Sequence, residues 1–74
     1  MTIAEKIHWF ALDFNLTIPE DIKGYMLQLV AEAQRELKKL GEPEGSYEEM
    51  LYTDYLEMHD RAVEIFNELA KENN

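Results

Sequence analysis

Apolar residues recur along this chain at three- and four-residue intervals, the spacing that lines one face of an α-helix. Placed at steps of about 100°, Ile22, Met26, Leu29, Val30, Ala33, Leu37 and Leu40 fall in one narrow stripe. Tyr47, Leu51, Tyr55, Met58, Ala62, Ile65 and Leu69 form a second. Beside it, Tyr52, Leu56, Val63, Phe66 and Ala70 widen the apolar arc of the same helix to about half its circumference. A helix that wide needs two neighbours. Near the N-terminus, Ile3, Ile7, Phe10 and Phe14, with the small Ala4 and Ala11, make the face of a third helix.

The polar residues between these runs carry the punctuation. Three times a Ser or Thr is followed three residues later by Glu: Thr2 with Glu5, Thr17 with Glu20, and Ser46 with Glu49. That spacing is a capping box, in which hydroxyl and carboxylate each satisfy a free backbone N–H of the first turn. Pro19 then stands in the first turn of the second helix, where its missing N–H costs nothing. That helix ends on Arg35, Lys38 and Lys39, cations that suit a C-terminus, and meets Gly41 and Pro43. The pattern predicts helices at about 3–14, 18–40 and 47–72. The short connector Gly41-Glu42-Pro43-Glu44-Gly45 makes the last two antiparallel neighbours. The fold class is all-α: a three-helix bundle, residues 1–74 in one domain, with a short N-terminal helix packed on a long antiparallel helical hairpin.

Helix 1 has apolar residues left over. Trp9, Leu12 and Leu16 fall on roughly the side opposite its bundle face. Either helix 1 lies in the groove of the hairpin and buries both sides, or it offers one to a partner. Gly24, Leu27 and Ala31 share a weaker strip on helix 2, and a glycine there suggests close approach by helix 1 or by a second subunit.

Charge narrows the partners. Seven Lys and Arg against sixteen Asp and Glu leave a net charge of −9. That disfavours direct binding to nucleic acid or an anionic membrane, and it permits a basic protein partner. Half of helix 3 is acidic, through Asp54, Glu57, Asp60, Glu64, Glu68 and Glu72, which is a solvated face or an electrostatic docking strip. No basic, apolar leader opens the chain and no apolar stretch approaches spanning length, so a cytoplasmic protein is expected.

No catalytic constellation emerges. His8 and His59 make no HExxH pair, and Glu5-x-x-His8 is half of a di-iron helix motif without its other half. Asp13-x-Asn15-x-Thr17 opens like a calcium loop but has Ile18 where that loop needs Gly and Gly24 where it needs Glu. Ser46, the one serine, is assigned to a cap, and cysteine is absent. Glu57-x-x-Asp60 matches half the carboxylate pattern of all-α nucleotide pyrophosphohydrolases, while Glu32-x-x-x-Glu36 departs from the other half. The expectation is no enzyme, no metal and no cofactor.

The segments Glu36-Leu37-Lys38-Lys39-Leu40-Gly41, Gly41-Glu42-Pro43-Glu44-Gly45-Ser46 and Asn67-Glu68-Leu69-Ala70-Lys71-Glu72 join strong helix formers with standard loop residues. In this the chain resembles de novo designed helical mini-proteins, and no natural family is recognised in its motifs. Gly24, the gap-filling Met26, Met50 and Met58, and the crowded His8-Trp9-Phe10 depart from that style. The sequence therefore predicts a non-enzymatic protein-binding module that presents Trp9, Leu12 and Leu16, with Glu5 on the rim. Two alternatives stand beside it. One is an acidic decoy using Glu57, Asp60, Glu64 and Glu68 to occupy the nucleic-acid site of a basic protein. The other is a self-associating bundle, a homodimer closed by the helix 1 face.

Overall fold

The structure, a computed structural model, describes residues 1–72; Asn73 and Asn74 of the single-domain reading, and the side chain of Glu72, lie outside it. Among the described residues three helices follow one another: α1 (Ile3–Asp13), α2 (Ile22–Leu40) and α3 (Ser46–Glu72). α2 and α3 pack most extensively, as an antiparallel hairpin, and α1 adds a smaller contact with α3. The molecule measures 42 × 20 × 19 Å.

Of the three capping boxes, one forms. The Thr2 hydroxyl accepts from the Glu5 N–H at 3.2 Å, and Glu5 Oε1 accepts from the Thr2 N–H at 3.3 Å. The Thr17–Glu20 pair does not cap α2. α2 begins at Ile22, four residues later than the Thr17–Glu20 spacing implies, and Asp21 is its cap. Asp21 Oδ1 accepts from the Gly24 N–H at 3.0 Å. Pro19 thus precedes the helix, since a residue before proline, here Ile18, is pushed toward extended backbone. The third box is also replaced: Ser46 is itself helical, and the Glu49 N–H bonds the Gly45 carbonyl at 2.9 Å. The Asp21 cap also accounts for Gly24. A Cβ there would run into the Asp21 carboxylate, so the glycine serves its own helix terminus and not a crossing by α1.

α1 ends in a Schellman turn. Asn15 has φ +53°, the Leu16 N–H reaches the Ala11 carbonyl at 2.8 Å, and the Asn15 N–H reaches the Leu12 carbonyl at 3.3 Å. Beyond it the period changes from helical to alternating. Phe14, Leu16 and Ile18 pack on the core while Asn15, Thr17 and Pro19 are exposed, as in a strand lying on a hydrophobic surface. This segment carries the chain back along the bundle. It has to, because α1 and α2 both run antiparallel to α3: Lys6 pairs with Glu64 and Glu68, and Asp13 pairs with Arg61.

The buried core is Phe10 from α1, Met26 and Leu29 from α2, and Ala62 and Ile65 from α3, with Ala33 buried beside it. Burying a large apolar side chain of this kind is worth about 1.5–3 kcal/mol. α1 rests on the flank of α3 that carries Glu57, Arg61, Glu64 and Glu68, and not on the second apolar strip of Tyr52, Leu56, Val63, Phe66 and Ala70. Tyr47, grouped with the main seam of α3 by its spacing, lies past the reach of α1 and is 64% exposed.

Candidate protein-binding surface

The seat of α1 is built from ions over an aromatic floor. Arg61 Nη1 donates to Asp13 Oδ2 at 2.7 Å and lies 3.6 Å from Glu57 Oε1. Its guanidinium sits 5.4 Å from the Phe10 ring centroid and 5.6 Å from that of Phe14, and the two rings meet at 5.2 Å. One arginine thus joins α3 to α1 by an ion pair and by cation–π contact with two rings. Seven residues earlier on α1, Lys6 Nζ donates to Glu68 Oε1 at 2.9 Å and Glu64 Oε1 at 3.0 Å. These hydrogen bonds, Glu68 first and Glu64 second, hold the ammonium above its ordinary range. The second oxygen of Glu68 is buried without a hydrogen-bond partner.

With α1 held in this way, its outer side faces solvent. Trp9 is 50% exposed and Leu12 58%, and Glu5 and His8 are exposed beside them. His8 contacts the Trp9 ring in a T-shaped pair, centroids 5.6 Å apart, so the indole leans on a neighbour of its own helix. Next to Trp9 a groove of about 370 Å³ runs between α1 and α3. Met1 and Trp9 form its apolar rim, Ile65 its floor, and the Lys6–Glu64 and Arg61–Asp13 pairs line it.

The structure therefore brings Trp9, Leu12 and Glu5 together on one exposed face and takes Leu16 away from them. Leu16 lies beyond the Schellman turn, half-buried against the core, so its helical spacing from Leu12 is no guide to its direction. The four acidic-strip residues divide. Glu64 and Glu68 are engaged by Lys6, Glu57 approaches Arg61, and Asp60 Oδ1 lies 3.2 Å from His59 Nδ1. Sequence reasoning missed Lys6 and Arg61 as the ties of α1. Their signal was present: Lys6 and Asp13 stand seven residues apart on one side of α1, matching the spacing of Glu57, Arg61, Glu64 and Glu68.

His8 and His59 lie on different helices, and among the described residues no three His, Asp or Glu side chains gather as metal ligands would. No described helix is long and apolar enough to cross a membrane. Comparison with protein-family models, with curated proteins and with solved structures found no match, so the site rests on its own residues.

Proposed function

We propose that this chain is a non-enzymatic protein-binding module that presents the outer side of α1. Trp9 and Leu12 are its anchors, Met1 extends the apolar surface, and Glu5 stands on the rim. The observation that carries the reading is Trp9: half exposed, held on edge by His8, and bordering a ready-made groove. Tryptophan is among the residues most enriched at energetically dominant interface positions. An aromatic anchor beside a preformed concavity is an economical way to bind a protruding apolar side chain. The exposed carboxylate of Glu5 favours a partner with a cation beside that side chain.

The acidic-decoy reading has less behind it, because Lys6 engages two of its four carboxylates. Trp9 is the only tryptophan, so its fluorescence reports on this face alone. The test compares the unaltered chain with a Trp9→Ala, Leu12→Ala double variant as baits for cellular proteins, bound proteins being identified by mass spectrometry. The expected result is a partner retained by the former and lost by the latter, with helicity unchanged and stability within about 1 kcal/mol. Identical retained proteins would end the reading, and so would unfolding of both single variants, which would place the two residues in the core. Affinity that collapses with salt while tolerating the double variant would move the site to the carboxylates of α3.

A further inference from the structure

The second apolar strip of α3 is left without an outer neighbour. α1 occupies the flank of Glu57, Arg61, Glu64 and Glu68, and residues 59 and 66 lie nearly opposite that flank on the helix. Two contacts show that this opposite side lies along the seam with α2. The Gln34 amide meets His59 Nε2 at 3.3 Å, and Lys23 Nζ lies 5.9 Å from the Phe66 ring centroid. Helical spacing then places Leu27 and Ala31 of α2 with Tyr52, Leu56 and Val63 of α3 on one side of the hairpin, its back. Leu27 is 51% exposed and Leu56 42%.

We propose that a second copy of this chain covers the back of the hairpin. The two copies are related by a two-fold axis parallel to the helices and close an antiparallel four-helix bundle, with each α2 opposite the partner's α3. Charge selects this arrangement. α2 carries four Lys and Arg against two Glu, whereas α3 carries eight Asp and Glu against two Lys and Arg. On the back, helical spacing sets Lys38 between Leu27 and Ala31 and Arg35 at the outer edge of α2, with Glu49 and Asp60 at the outer edge of α3, all four exposed. An axis along the helices sets basic edge against acidic edge twice. An axis across them would stack like on like. The net charge of −9 opposes indiscriminate association, so pairing depends on this local match. The 42 × 20 Å outline leaves room for the ~800 Å² per partner of a standard interface. Both α1 helices stay outside, so this dimer is independent of partner binding at Trp9.

Sedimentation equilibrium from micromolar to millimolar chain, with circular dichroism as the check on folding, tests it. The unaltered chain is expected to dimerise, and a Leu27→Glu, Leu56→Glu variant to be monomeric with undiminished helicity. An Arg35→Glu, Lys38→Glu variant and a Glu49→Lys, Asp60→Lys variant should each lose the dimer alone. Mixed, they should form a heterodimer, because every edge contact again joins opposite charges. A chain that stays monomeric to millimolar concentration overturns the proposal. So does a dimer that survives Leu27→Glu, Leu56→Glu, one dissociated by Trp9→Ala instead, or a mixture that yields no heterodimer.

Discussion

The two ends of the hairpin are made of the same two helices but differ in how well they exclude water. Where α1 lies on α3, Phe10, Met26, Ala62 and Ile65 are closed off almost completely. Toward the Gly41–Gly45 connector, Leu37, Leu40, Leu51 and Tyr52 are only half-buried, and Tyr47 and Met50 are exposed. Apolar content does not account for the difference, since both ends carry a continuous stripe. What differs is the third element: two helices bring one line of side chains together, and a third covers the line from outside. In a domain this short, an added eleven-residue helix creates a core that a longer hairpin would not.

The largest test of that contrast is Phe10→Ala against Tyr47→Ala. Removing the fully buried ring should cost about 3–5 kcal/mol in urea unfolding, and removing the exposed tyrosine within about 0.5 kcal/mol. Equal costs would mean that the two ends contribute alike. Arg61→Ala comes next, with an expected loss of about 1–3 kcal/mol. Arg61→Lys should restore only part of it, because the charge returns without the broad guanidinium that reaches Asp13, Phe10 and Phe14 together; full rescue would reduce the tie to a simple ion pair. The smallest effect is on Lys6. A folded-state pKa above the unfolded one contributes stability that is fully present through neutral pH and lost only as pH rises beyond the ordinary lysine range. Amide exchange in α1 should therefore accelerate selectively in strong alkali, and Lys6→Gln should abolish that step while leaving α2 unaffected.

Helix number, order and the hairpin were legible because three periodic runs and one glycine-bounded connector agree. Gly41 ends α2 with φ +58°, as its place after Lys38, Lys39 and Leu40 implies. The start of α2 was less legible. Thr17–Glu20 and Asp21 both offer caps, and the choice depended on how far the backbone stays extended around Pro19. The side of α3 that receives α1 was not legible from hydrophobicity, which pointed to Tyr52, Leu56 and Val63; Arg61 over two aromatic rings and Lys6 between two carboxylates outweighed it. Of the candidate site, Trp9 and Leu12 follow the helical period outward. Leu16 does not, because a left-handed residue at Asn15 intervenes and resets the direction of the chain.

The extended segment between α1 and α2 bears on the order of assembly. α2 and α3 meet across a five-residue connector, so their contacts close locally and early. The polar ties of α1 instead join residues 48 to 62 positions apart. Those partners lie on α3, beyond the whole of α2, so during synthesis α1 is made before the hairpin that seats it. Until Glu68 emerges, Phe10 and Phe14 travel on a segment with nowhere to dock, and the finished hairpin acts as the template that collects them.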